Sequence, residues 1–296
     1  MNPDTPTAPT PAAQSRFKRF IQFPLTRVVV GFFWVGGFVA LAEPVGNLLP
    51  PSWSAYKAVV LAVGALLGYY TYVRIVEQRQ PAELLGRSAP LELVAGMIVG
   101  AILFSTTAAI LYALGALSMT GRNDAAVMLL PFTAAIMAGV FEEILMRGVV
   151  FRIVEEWLGS AIAIAGSAIL FGALHIPNPG SSAVSVIAIA LEAGVMLAAA
   201  YILTRRLWLA IGIHIAWNFV QGGVFGIATS GVATTGWFNS TLSGPVLLTG
   251  GEFGAEASLV AVGVCLCAGI GMLLLAYRRK HWVLPAARRL KEMPAR

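Results

Sequence analysis

Eight apolar stretches, most of them near the length of about 20 residues that a membrane-crossing helix needs, fix what this chain can fold into before any motif is considered. They run Val28 to Ala42, Ala58 to Val73, Leu91 to Leu117, Ala125 to Phe151, Leu158 to His175, Ala183 to Leu203, Leu207 to Phe225 and Ala257 to Tyr277; the first is short. Of 296 residues, 58% are hydrophobic and 11% charged, whereas a soluble domain carries roughly 25% charged residues. The expected fold is an all-α, polytopic transmembrane helical bundle of eight spans.

The formal net charge is +6, but the placement of the basic residues argues against a nucleic-acid partner. Eighteen of the 20 Lys and Arg fall before the first span, between the second and third, at the end of the fourth, between the sixth and seventh, or after the eighth. Only Lys57 and Arg122 lie on the other side. The positive-inside rule then places both termini in the cytoplasm, with anionic lipid as a partner for the basic tail. Residues 1–26 read as a disordered N-terminal tail, 27–277 as one transmembrane domain and 278–296 as the basic tail. The segment Gly226 to Glu256 contains no Lys or Arg, as befits an outer loop. No internal repeat is evident, which weighs against a transporter built from duplicated halves.

Three polar clusters lie inside the spans. The first is Phe141-Glu142-Glu143-Ile144-Leu145-Met146-Arg147. Charges at the bilayer centre cost about 2.5 to 3.5 kcal/mol each on insertion scales, so such a cluster marks function. On a helix Glu143 and Arg147 share a face, with the acid N-terminal to the cation, and can pair. Glu142 points about 100° away and is left to take a proton from water. The second cluster is Phe171-Gly172-Ala173-Leu174-His175, closed by Ile176-Pro177-Asn178-Pro179. These prolines end the helix and put the imidazole beside a break. The third is His214-Ile215-Ala216-Trp217-Asn218, whose His and Asn project from one face and offer two donors suited to an oxyanion.

Blander readings compete. A lone intramembrane His often serves as a hydrogen bond between helices, but two beside a Glu-Glu pair favour a site. Glu192, near the middle of the sixth run, is either support for that site or an unrelated buried carboxyl. Cys265 and Cys267 point to different faces and read as unbonded filler. Trp53, Tyr56, Tyr69, Tyr70 and Tyr72 read as interface anchors.

Glu142-Glu143-x-x-x-Arg147, Phe171-x-x-x-His175 and His214-x-x-x-Asn218 together resemble the three motifs of the CPBP family, the intramembrane proteins that include CAAX prenyl endopeptidases and bacteriocin-processing or immunity proteins. The resemblance covers about residues 124–225. It implies an intramembrane endopeptidase in which Glu142 and His175 activate water and His214 and Asn218 stabilise the oxyanion, with Glu143, Arg147 and Glu192 in support. The substrate would be a peptide or protein, hydrophobic or lipidated. The richness in Ala and Gly hints at a bacterial source, hence a multi-pass protein of the cell membrane.

Metal-free catalysis leads, because the His and Asn pair already suits an oxyanion. A Zn²⁺ on Glu142, His175 and His214 has acceptable ligand types, although the spacing is not that of a His-Glu-x-x-His helix. A non-catalytic immunity or scaffold protein and an ion transporter are the competing functions. One tension concerns depth. Counted from the cytoplasmic ends at about 1.5 Å per residue, Glu142 lies near 15 Å and His175 near 25 Å. Straight helices would keep them apart, so the fifth helix must start outside the membrane or tilt, or Pro131 must bend the fourth.

Overall fold

The structure, a computed structural model, describes residues 20–291. The first 19 residues, and with them most of the expected tail, lie outside these. Helix α1 is Pro24–Asn47, α2 Lys57–Ile75, α3 Ala89–Ala113, α4 Ala125–Leu158, α5 Ser160–Leu174, α6 Ala183–Thr204, α7 Trp208–Asn218, α8 Val246–Thr249, α9 Leu259–Arg278 and α10 Ala286–Lys291. Six helical stretches are long and apolar enough to cross a membrane, namely α1, α2 with its leading turn, α3, α4, α6 and α9. The protein is an all-α, integral, multi-pass membrane protein.

The other two expected spans fall on α5, with 15 residues, and α7, with 11, both shorter than the six. Every residue of α7 from Ala210 to Trp217 is buried. A helix enclosed by protein need not match the lipid thickness, because its neighbours satisfy what lies beyond its ends. Small residues permit the enclosure. A Cβ on Gly100 of α3 would strike the carbonyl oxygen of Ile213 in α7.

Several boundaries differ from expectation. Helix α1 begins at Pro24, before the tail boundary expected at residue 26, because proline suits a helix's first turn and Arg27, one turn in, is neutralised by Glu77 at 2.6 Å. Helix α3 stops at Ala113, and the chain turns at Gly115, where φ is +72°. Leu117–Arg122 then forms strand β1, antiparallel to β2 at Phe238–Leu242, with Leu117 opposite Leu242 and an irregularity between Met119 and Arg122. This ribbon lies at the end of the bundle opposite the Glu77 ion pairs. Part of the expected basic tail is the short helix α10.

At the basic end Arg27, Arg79, Arg152, Arg205 and Arg206 are paired. The Glu77 carboxylate takes Arg27, Arg79 at 2.8 Å and Arg152 at 2.7 Å. Burial alone would raise its pKa, but the guanidiniums of Arg152, Arg27 and Arg79 hold it down to about 2. Glu83 takes Arg79 at 2.6 Å and a hydrogen bond from the Tyr69 hydroxyl. Tyr69 and Tyr72 are therefore not interface anchors. Both are fully buried, and the Tyr72 hydroxyl donates to the Arg27 carbonyl at 2.8 Å. Trp53, Tyr56 and Tyr70 are exposed. Arg205 pairs with Glu155, and Arg206 with Glu92 at 2.8 Å, so the loops between α2 and α3, α4 and α5, and α6 and α7 meet at this one end.

Helices α4 and α5 form a hairpin about Gly159, where φ is +83°. Glu142 lies 17 residues before that turn and His175 16 residues after it. The two arms rise by nearly equal lengths of about 25 Å, which removes the mismatch in depth. The expected fourth span stopped at Phe151, before the charges at Arg152, Glu155 and Glu156. The helix instead runs on to Leu158, because those charges are absorbed by the ion-pair network.

Candidate active site

Three segments of π-helix lie at the positions where the polar clusters fall. Ile144–Phe151 follows Glu143, Ala190–Gly194 contains Glu192, and Phe219–Val224 follows Asn218. A π segment widens one turn and re-aims the residues around it, which is why such segments recur at functional sites.

Arg147, 1% exposed, sits at the centre of the first cluster. Its Nη1 donates to Glu143 Oε1 at 2.9 Å, and its Nη2 donates to the carbonyls of Ala193 at 2.8 Å and Gly194 at 3.1 Å. Those carbonyls end the π segment of α6, where the backbone ladder changes register. The guanidinium also stacks over Phe171, 4.9 Å from the ring centre. One side chain thus ties α4, α5 and α6 together.

Glu143 has a second partner. Its Oε1 also accepts from His214 Nδ1 at 3.0 Å. With the proton on Nδ1, the Nε2 of His214 is the free nitrogen, and it lies 3.9 Å from Glu142 Oε2. His175 is fixed in the same tautomer by a different acceptor. Its Nδ1 donates to the Phe171 carbonyl at 2.8 Å, one of the carbonyls left open at the end of α5. A neutral His175 therefore presents a lone pair at Nε2. Gly172 brings α6 against this turn, since a Cβ there would strike the Val186 carbonyl oxygen.

Two cavities meet at Glu142 and His175. One, of about 280 Å³, is also lined by Asn178, Asn218, Ser230 and Thr234. The other, of about 270 Å³, is apolar, with Phe32, Phe141, Leu145, Met146 and Leu174 around it. The Glu142 side chain is 33% exposed and reaches both, while Glu143 is 0% exposed. A third and smaller space of about 20 Å³ joins His175, His214 and Asn218 to Glu192 and Glu256. That is room for about one water molecule.

The structure therefore gathers Glu142, His175, His214 and Asn218 from three helices around connected cavities, with Glu143 and Arg147 behind them. Glu192, 2% exposed, borders the smallest space, and its Oε2 has no protein partner. Glu256, 2% exposed, is a residue that sequence reasoning missed. It accepts from the Ser230 backbone N–H at 2.6 Å and the Ser230 hydroxyl at 2.9 Å. Burial pushes its pKa up to about 7 despite these bonds. The one hint in the sequence is that Glu256 closes a loop without cations. Cys265 is buried, Cys267 is exposed, and the two are not bonded.

A zinc ion on Glu142, His175 and His214 is the alternative to metal-free catalysis. Among the described residues no three His, Cys, Asp or Glu side chains converge closely enough to hold a metal ion, Glu142, His175 and His214 included.

Residues 124–220 match the family described as type II CAAX prenyl endopeptidase Rce1-like. No curated protein and no solved structure matches the chain.

Proposed function

From the Rce1-like domain that the chain carries over residues 124–220, a family of membrane endopeptidases, we propose that this protein hydrolyses a peptide bond inside the bilayer by general base catalysis. Glu142 removes a proton from water, and the Nε2 lone pair of His175 holds that water toward the scissile carbonyl. Hydroxide adds to the carbonyl carbon, and the charge that develops on oxygen is met by Asn218 and His214. Glu142 then returns the proton to the departing amine. His214 already donates from Nδ1 to Glu143, so it donates from Nε2 only as the imidazolium. Glu143 and Arg147 hold that ring in place, and Glu192 supports it across the smallest cavity.

The observation that carries this reading is the meeting of Glu142, His175 and Asn218 on one cavity, with His214 Nε2 3.9 Å from Glu142. The apolar cavity beside Glu142 suits a hydrophobic or lipidated portion of the substrate. The test compares membrane peptides in cells carrying the wild-type protein and Glu142→Gln. Peptides that accumulate only in the variant, and that the purified wild-type protein cleaves, support the proposal; identical profiles overturn it. Zinc content and cleavage in excess chelator decide the metal-free version, which activity tracking stoichiometric zinc would sink.

A further inference from the structure

We infer that the substrate reaches this site from the non-cytoplasmic side of the membrane, as an extracytoplasmic peptide segment and not as a cytosolic C-terminus. The inference rests on the endopeptidase reading for what happens to the peptide, but the side of entry follows from the two ends of the bundle.

One end carries the arginines. Arg27, Arg79 and Arg152 share Glu77 there, Arg205 pairs with Glu155 and Arg206 with Glu92 at the same end, and Arg278, Arg279 and Lys280 close α9 there. The other end has Lys57, Arg122 and a segment from Gly226 to Glu256 with no cation at all. By the positive-inside rule the arginine end is cytoplasmic.

The larger cavity lies toward the other end. The 280 Å³ cavity is lined by Pro131 and Ala134 from the first turns of α4 and by Thr229, Ser230, Val232 and Thr234 from the cation-free segment. No residue of the arginine cluster lines this cavity, the apolar one or the one-water space. On the cytoplasmic side of Glu143 all eight residues from Ile144 to Phe151 are buried, with Leu145 and Met146 against the apolar cavity. Within this stretch Arg152 Nε donates to the Gly148 carbonyl at 2.8 Å, and the Tyr69 hydroxyl, which donates to Glu83, packs 3.0 Å from the same carbonyl. A peptide entering from the cytoplasm would have to displace these bonds and the Glu77 cluster.

The lining also suits such a substrate. Around the mouth it offers hydroxyls and amides, and Glu142 is its one charged group besides the histidine. An extended, uncharged peptide segment can hydrogen-bond there without leaving a charge unpaired.

The test uses the full chain in sealed membrane vesicles of both orientations, with Cys265 and Cys267 replaced by alanine. Ala138→Cys places a thiol in the cavity one turn before Glu142, and Ser88→Cys places one on the exposed surface of the arginine end. A charged, membrane-impermeant thiol reagent should label Ala138→Cys in right-side-out vesicles only and Ser88→Cys in inside-out vesicles only. Labelling of Ala138→Cys from the inside-out side overturns the inference. In a second arm an impermeant quenched-fluorescent peptide library is added to each preparation and to detergent-solubilised protein. Cleavage in right-side-out vesicles that Glu142→Gln abolishes supports both readings. Cleavage in detergent and in inside-out vesicles alone overturns the side of entry and leaves the endopeptidase standing. Absence of cleavage everywhere counts against the endopeptidase, and the thiol labelling still decides the side.

Discussion

The Oε1 atom of Glu143 accepts from Arg147 Nη1 at 2.9 Å and from His214 Nδ1 at 3.0 Å. One buried oxygen therefore neutralises the cation that joins three helices and also sets the tautomer of a ring in the candidate site. Removing its charge should do two kinds of damage. Glu143→Gln leaves Arg147 buried without a counter-ion, a loss of about 3 to 5 kcal/mol, and frees His214 to turn. Glu142 lies on the cavity side and contributes no such pair, so Glu142→Gln should unfold within a few degrees of wild type. Thermal unfolding of both variants in detergent checks the contrast. Equal stability of the two would mean that Glu143 is not the structural member of the pair.

Asn218 and His175 divide differently between binding and chemistry. If Asn218 donates to the developing oxyanion, Asn218→Ala should lower kcat by about 10² to 10³ with little change in KM. His175→Ala removes the lone pair that holds the attacking water and should lower kcat by about 10², the scale of a misplaced reactant. The measurement is steady-state cleavage of one identified peptide by purified protein. A KM effect without a kcat effect for Asn218→Ala would move that residue from the oxyanion to substrate binding.

Two carboxyls outside the spans shift stability in opposite directions with pH. Glu77 has its folded-state pKa lowered to about 2, so its contribution is present above the ordinary 4.5 and is lost as pH falls toward about 2. Glu256 has its folded-state pKa raised to about 7, so its contribution is present below 4.5 and is lost as pH rises through about 7. The unfolding temperature should therefore rise from pH 2 to 4.5 and decline from 4.5 to 7. Glu256→Gln should flatten only the upper limb, and Glu77→Gln should remove the rise and lower the plateau. A Glu256→Gln profile that still declines above pH 4.5 assigns that limb to another group.

How much of this was legible in the sequence depends on whether a relationship is local. The pairing of Glu143 with Arg147 spans four residues of one helix, and the end of α5 beside Pro177 is written in the proline. The bond from His214 to Glu143 joins residues 71 apart in the chain, and no periodicity announces it. The three π segments depend on how the bundle is packed and leave no composition signal. Tyr69 and Tyr72 resemble interface aromatics until the Glu77 and Glu83 carboxylates that fold back onto them are seen. The hidden role of Glu256 follows from Ser230, which bends back with φ at +49° to donate to it.

Gly159 sets the register between the two halves of the site. It adopts φ +83°, and a Cβ there would meet the Val283 carbonyl oxygen and the Pro285 nitrogen, each at 2.9 Å. Gly159→Ala combines that crowding with a strained backbone, so it should destabilise the protein by about 1 to 3 kcal/mol. The turn also holds Glu142 and His175 at matching heights on α4 and α5, so the part of the protein that stays folded should lose kcat as well, although neither residue has been touched. Unfolding temperature and single-turnover cleavage below that temperature separate the two effects. A variant with a lowered unfolding temperature and an unchanged cleavage rate would show that contacts along α4 and α5, and not the turn, hold the pair in register.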